Sequence, residues 1–189
     1  MTFNLLIAGV GGQNASLASR LIAAAAFRKG YDVRTAETIG EEQRGCSVLV
    51  HCRIGDNIFS PLIPHGKADA ILAFEPAEAV RHLHYLSKNG VVVTCNTEIK
   101  PSGIYDSYDK KAIMDFLQTH AYKLIMLDGR RLTAKDEKIL NTALLGAAAQ
   151  SKIFPFDADT IKDILPEILP ENIQEINIKA FEFGMEICP

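Results

Sequence analysis

No two of the four cysteines, Cys46, Cys52, Cys95 and Cys188, stand at the C-x-x-C spacing that gathers thiolates around zinc or an iron–sulfur cluster. The cysteines therefore give no metal site, and their scatter reads as small buried hydrophobes of a reduced, cytoplasmic chain. Basic clusters are missing too. The 20 Lys and Arg are spread among 23 Asp and Glu for a net charge of −3, which excludes a strong nucleic-acid footprint and a polybasic membrane anchor. No apolar run reaches the roughly 18 residues that span a bilayer, and Met1-Thr2-Phe3-Asn4 lacks the basic start of a secretory signal. There is no G-x-S-x-G elbow, no Walker G-x-x-x-x-G-K-[ST], and no pair of carboxylates placed for acid and base roles. His82 and His84, two apart on an expected helix, share no face, and His51 and Cys52 point to opposite sides of a strand, so neither pair is a ligand set.

What is present is ordinary globular material. The 189 residues are 48% hydrophobic and 23% charged, enough for one domain, 1–189, that folds without staples. Phe3 to Ala8 is a buried strand ending in glycines. Asn14 is a helix N-cap, Ala15 to Lys29 the helix, and Tyr31 to Glu37 a second strand that completes a βαβ unit. Cys46 to Ile54 alternates like a strand, and Gly55-Asp56-Asn57 is turn chemistry from which Ile58 to Ile63 would return antiparallel. Asp69 to Glu75 is a strand, Pro76 opens a helix to about Ser87 that Asn89-Gly90 ends, and Val91 to Cys95 is a strand. Lys110 to His120 is helical and Lys123 to Leu127 a last strand. The alternation predicts an α/β fold, a doubly wound, mostly parallel but mixed, Rossmann-like sheet, followed by a helical C-terminal region.

That region holds helices from about Ala134 to Lys152, Thr160 to Leu165 and Glu171 to Ile187. Leu140, Ala143, Leu144, Leu145 and Ala147 to Ala149 go round most of the first, and the third is similarly apolar through Ile173, Ile176, Phe181 and Phe183. A helix apolar all round must be covered. A second protein chain is the expected cover, a large core of the chain's own being the alternative.

Two loops could carry chemistry. Gly9-Val10-Gly11-Gly12-Gln13-Asn14 lies between strand and helix, where backbone N–H groups and the helix dipole suit a phosphate or another anion. Asn14 stands where the third glycine of G-x-G-x-x-G would be, and Glu37 ends the second strand, where a dinucleotide fold keeps its ribose-binding acid. Nucleotide binding, a structural tight turn and a loop meeting a partner subunit all stay open. The second loop, Glu37 to Ser47, leaves a strand's carboxyl end near the same crevice. Its Arg44 beside Gly45 offers a fork of donors to a carboxylate, a phosphate or a partner's acid, or else pairs in solvent with Glu41 or Glu42.

Taken together, Gly9-Val10-Gly11-Gly12-Gln13, Glu37-Thr38 with Gln43-Arg44-Gly45 and Ser47-Val48, Ser60-Pro61-Leu62-Ile63-Pro64 and Ala73-Phe74-Glu75-Pro76 resemble a known family. It is that of the gamma-type subunits of 2-oxoacid:ferredoxin oxidoreductases, and within it the small, or beta, subunits of the indolepyruvate branch. Asn141 with Leu145-Gly146-Ala147, and Asn177 to Phe181 with Gly184, extend the likeness over almost the whole chain. Asn14 replaces a usual Gly and Cys46 a usual Gly or Ala; Asn tolerates left-handed backbone angles, so the turn survives.

The resemblance implies an accessory subunit in the oxidative decarboxylation of a 2-oxoacid, indolepyruvate or another arylpyruvate, to acyl-CoA with reduction of ferredoxin. Thiamine diphosphate and iron–sulfur clusters would sit on a large partner subunit, coenzyme A would be co-substrate, and no cofactor would be tightly held here. Gly9, Gly11, Gly12, Gln13, Thr38, Arg44 and Gly45 would face the ligand side, with no catalytic residue and no metal ligand. A hetero-oligomer is implied, with self-association of the isolated chain left open. The alternatives are a free-standing NAD(P)-binding oxidoreductase and a non-catalytic assembly module.

Overall fold

In a computed structural model of the chain, which describes residues 2–38, 46–96, 108–128 and 139–188, the apolar run at the start becomes strand β1 (Thr2–Val10) at the centre of the sheet. Then follow α1 (Ala15–Arg28), β2 (Asp32–Thr38), β3 (Ser47–Gly55), β4 (Ala68–Ala73) and α2 (Pro76–His82) with a 3₁₀ turn, Leu83–Tyr85. Strand β5 (Leu86–Cys95), α3 (Lys110–His120), β6 (Lys123–Leu127), α4 (Leu140–Gln150), α5 (Ala158–Ile168) and α6 (Glu171–Glu186) complete the described chain.

The six strands run in the order β2-β3-β1-β4-β5-β6. Strand β3 is antiparallel to both its neighbours, from Thr2↔Gly55 to Val10↔Ser47 and from Asp32↔Gly55 to Thr38↔Leu49, whereas β1, β4, β5 and β6 are parallel. The mixed doubly wound sheet is as the alternation predicts. Alternate residues of β1 divide between two cores: Leu5 and Ile7 face α1, α4, α5 and α6, while Leu6 and Ala8 face α2 and α3. No helix among the described residues is long and apolar enough to cross a membrane.

Four local expectations need correction. Strands β1 and β2 do not pair, because β3 slides between them, so the βαβ unit is a split one. Ile58 to Ile63 forms no strand: both edges of β3 are already taken, and the segment instead lies across the sheet with Ile58 and Ile63 buried. The helix after Pro76 stops at His82 rather than Ser87. Asn89-Gly90 does not end a helix but lies inside β5, at a register shift opposite Ala68 and Ala70, where Gly90 has no room for a side chain against Leu86 and the Ala68 carbonyl.

The fourth correction concerns the cover of α4. All residues from Leu140 to Ala149 are buried within this chain, beneath α1, α5, α6 and the sheet. No second chain is needed for it. Helix α6 keeps Asn177, Ala180, Phe181 and Gly184 buried, and Ile176 stays exposed on its outer side. The two helices cross on a pair of glycines. A Cβ on Gly146 would fall on the carbonyl of Phe181, and one on Gly184 on that of Ala143. Beside the crossing, Thr142 Oγ1 donates to Asn177 Oδ1 at 2.6 Å, a buried bond that fixes how far one helix slides along the other.

Because backbone meets backbone there, Gly184→Ala must push α6 away from α4. The expected loss is about 1–3 kcal/mol, as for overpacking of a tight core, read as a lowered urea midpoint. An unchanged midpoint would mean that the helices are not held at this distance.

Candidate functional site

Chain reversal at the centre of the sheet creates the site. After β1 the chain turns to α1 on one face, and after the neighbouring parallel strand β4 it turns to α2 on the other. A crevice opens outside such carboxyl ends, the usual ligand position of open α/β sheets. The glycine loop forms one wall and Phe74-Glu75-Pro76 the other.

Gly9 is where the walls touch: a Cβ there would lie 2.9 Å from Gln13 Oε1 and 3.3 Å from the Phe74 ring. Gly11 N donates to Cys46 O at 2.7 Å, carrying the β1–β3 pairing one residue beyond the strands. Gly12, at φ 103, makes the turn, with open space around it. Gln13 is buried with both ends of its amide bonded: Oε1 accepts from Val10 N at 2.7 Å and Nε2 donates to Phe74 O at 3.2 Å. Its carbonyl accepts from Asn141 Nδ2 of α4. Asn14 adopts the left-handed conformation, φ 54 and ψ 39; it stands at the N-cap position, but its side chain makes no capping bond. The amides of Gly12, Asn14, Ala15 and Ser16 find no acceptor among the described residues, leaving a row of donors at the positive end of α1.

Of the other expected site residues, Thr38 does not join this loop. Thr38 ends β2, two strands from β1, and its hydroxyl donates to Leu49 O at 3.0 Å and accepts from Leu49 N at 3.2 Å. Arg44 and Gly45 lie outside the described residues. Glu37 accepts a hydrogen bond from Ser16 Oγ in the first turn of α1. The insertion of β3 sets the end of β2 about 10 Å from that of β1 at the usual strand spacing, so Glu37 is not in the strand next to the loop, as a dinucleotide fold requires.

The far wall holds a group that the sequence reading missed. Glu75 and Glu78 are both buried. Glu75 caps α2, accepting from Glu78 N at 3.1 Å, and takes a bond from the Tyr108 hydroxyl. Burial pushes its carboxyl above the usual range, against the pull of Tyr108 and the helix amides. Glu78 receives Arg81 Nε at 3.1 Å, His82 Nε2 at 3.6 Å and the Ser47 hydroxyl, itself 3.3 Å from His82 Nε2. Burial works against its charge, but the bonds from His82, Ser47 and Arg81 outweigh it and hold the carboxyl below the usual range. The signal was in the sequence: Glu75-Pro76-Ala77-Glu78 sets acids at the N-cap and N3 positions around a proline at N1, where a helix dipole draws carboxylates in.

Histidines also come together despite their spacing. Helix α2 gives way to the 3₁₀ turn after His82, bringing the His82 and His84 rings to 6.3 Å, and Tyr85 lies 5.4, 4.6 and 4.5 Å from His51, His65 and His84. Burial, then the charge of His82, lowers the pKa of His51, which accepts from Ile63 N at 3.2 Å. Among the described residues no three His, Cys, Asp or Glu form a metal-binding group. Cys52 lies in the core, its thiol pushed up to about 12 by burial.

Further along the same edge, Asn96 Nδ2 donates to Asp128 Oδ1 at 2.7 Å and Lys110 Nζ to Asn96 O at 2.6 Å, joining the ends of β5 and β6 to α3. The buried Thr94 hydroxyl has no partner among the described residues, a cost of about 1–3 kcal/mol unless a water or a bound group meets it.

Glu78 makes the wall acid-sensitive, with a definite sign. Its carboxyl is held below its ordinary value of 4.5 in the folded chain, so its bonds stabilise the fold above that pH and are lost as pH falls through the folded value. Glu78→Gln should therefore lower stability at neutral pH by about 1.5–3 kcal/mol and flatten the acid limb of stability against pH below about 4.5. A variant that keeps the wild-type acid limb would show that Glu78 does not carry it.

The geometry has counterparts. The chain matches the family described as pyruvate ferredoxin/flavodoxin oxidoreductase over residues 4–187. It is 36% identical to indolepyruvate oxidoreductase subunit IorB of Pyrococcus horikoshii over 197 residues, covering 97% of this chain and 95% of the relative. To the pyruvate/ketoisovalerate oxidoreductases common subunit gamma of Thermococcus kodakarensis it is 28% identical, covering 92% and 90%. Among solved structures, pyruvate oxidoreductase subunit PORC of Thermotoga maritima shares the fold at TM-score 0.72 and 21% identity, over 100% of this chain and 97% of that one. The identities and the nearly complete coverage establish that this chain belongs to the pyruvate ferredoxin/flavodoxin oxidoreductase family.

Proposed function

We propose that this chain is the accessory, gamma-type subunit of a cytoplasmic 2-oxoacid:ferredoxin oxidoreductase acting on indolepyruvate or another arylpyruvate. The observation that carries the reading is the 36% identity to IorB subunits along the full chain. In the overall reaction the 2-oxoacid loses its carboxyl group as CO₂ and its acyl group is joined to the coenzyme A sulfur, whose thiol proton is released; the two electrons set free pass to ferredoxin. Thiamine diphosphate, on a large partner subunit, supplies the electron sink for the decarboxylation. The iron–sulfur clusters belong there too.

This chain contributes a binding wall. The amides of Gly12, Asn14, Ala15 and Ser16, without acceptors among the described residues, offer donors to an anion, and Gly9 and Gln13 hold the loop by closing it onto Phe74. Arg44, beside Gly45, adds a bidentate fork for an anionic group of the 2-oxoacid, of coenzyme A or of the partner. Glu75 and Glu78, already engaged within the chain, shape the opposite wall rather than exchange protons with substrate. NAD is not expected to bind, given the split βαβ unit.

The purified chain alone should be silent, and co-expression with the large subunit of the same organism should give coenzyme A-dependent reduction of ferredoxin by an arylpyruvate. Turnover by the chain alone, or a complex that turns over equally well without it, would overturn the reading. In the complex, Arg44→Lys and Arg44→Ala should both cost about 1.5–3 kcal/mol, roughly ten- to a hundredfold in kcat/KM. A change confined to subunit affinity would assign Arg44 to assembly.

A further inference from the structure

On the face that carries α2 and α3, those helices pack over β1, β4, β5 and β6. The part of the sheet formed by β2 and β3 is covered instead by the segment after β3, which turns at Asn57 in the left-handed conformation. Ile58 and Ile63 point in and are buried, whereas Phe59 and Leu62 point out, 96% and 59% exposed. Single exposed apolar residues are common and need no explanation. This pair differs in being held.

Ile58 is pinned on both sides, its N donating to Asp32 Oδ2 at 2.8 Å and its O accepting from Arg34 Nε at 3.2 Å. Ser60 O accepts from Arg53 Nη1 at 2.9 Å, Ile63 N donates to His51 Nδ1 at 3.2 Å, and Gly66 N donates to His84 O at 3.1 Å. Pro61 and Pro64 stiffen the stretch further. Phe59 thus stands between two anchored carbonyls. Arg34 and Arg53 are direct cross-strand partners, a like-charge pairing that costs stability on a sheet; their use is to hold this strap.

The charges around the strap are mixed: Arg34 pairs with Asp32 at 3.8 Å, and Asp56 is exposed beside the turn. Asp32 and Asp69 are bound to the main-chain amides of Ile58 and Asn4, while Arg53 and Lys67 have no carboxylate partner among the described residues. A rigid aromatic anchor beside arginine is the pattern of an interface hot spot, and its rigidity spares the ordering cost of association.

We infer that residues 58–63 are the docking strap for the large partner subunit, with Phe59 and Leu62 entering an apolar pocket rimmed by acidic side chains. This rests on the reading of the chain as a subunit, and the test separates the two. Binding of the full-length chain to the cognate large subunit would be measured by biolayer interferometry for wild type, Phe59→Ser, Leu62→Ser and Phe27→Ser, with melting temperatures alongside. Phe27, 77% exposed on α1, controls for the loss of any exposed aromatic. Expected are a tenfold or greater rise in Kd for Phe59→Ser, a smaller rise for Leu62→Ser, none for Phe27→Ser, and unchanged melting temperatures. Wild-type affinity in Phe59→Ser overturns the strap and leaves the subunit reading standing, whereas failure of the wild type to bind overturns both. If Phe59→Ser instead dissolves a homodimer while its affinity for the large subunit is unchanged, the occupant is a second copy and the inference is wrong.

Discussion

The buried carboxamide of Gln13 joins parts of the chain that are far apart in sequence. Its oxygen holds the end of β1 and its nitrogen the turn after β4, while the residue's own carbonyl takes a bond from α4. A buried amide left half satisfied would cost about 1–3 kcal/mol, so these contacts stand or fall together. Gly9 must be glycine for the same reason, since any Cβ would press on the Gln13 oxygen and the Phe74 ring that the carboxamide draws close. The crevice is thus a consequence of one side chain's need for partners. A residue type that reads from sequence as a ligand donor is, in the fold, the clasp that aims its neighbours' amides.

The two walls of the crevice are electrically unlike. On the side of α1 the amides of Ala15 and Ser16 find no acceptor among the described residues, and Glu37 is bound to Ser16. On the side of α2 the same helix-end charge is already met by Glu75 and Glu78, the first protected by burial and Tyr108, the second by three donors. An incoming anion is favoured at one wall and repelled by the other, which gives it a direction as well as a place. That asymmetry suits a group bound at its anionic end with the rest extending outward.

The strand and helix pattern was legible because period and length are local properties, and β6 falls on the residues expected. Strand order was less so. An antiparallel β3 between β1 and β2 has the same alternation that a hairpin partner would have, and only the pairing partner, set by the whole sheet, distinguishes them. Helix α4 was read rightly as needing cover, but Gly146 and Gly184, which let α6 supply it at backbone contact, carry no apolar signal of their own. The histidine group escaped because the 3₁₀ turn after His82 breaks the helical spacing on which the sequence argument relied. Of the site, the glycine loop was legible from its place between strand and helix. The acidic wall was legible only in part: the places of Glu75 and Glu78 at the start of α2 follow from the proline at N1, but their burial depends on Tyr108, Ser47 and His82, which arrive from elsewhere.

Strand β3 links the two functional regions. At its start Ser47 bonds to Glu78 on the crevice wall; near its end Arg53 holds the strap. Six residue steps separate Ser47 from Arg53, about 20 Å of extended chain, so a partner seated on Phe59 leaves the carboxyl edge of the sheet uncovered. The strand is paired along both edges and cannot slide by one residue without turning Val50, Cys52 and Ile54 out of the core. The distance between docking strap and crevice is therefore fixed by the register of one strand, and a partner that grips the first is held at a set position relative to the second.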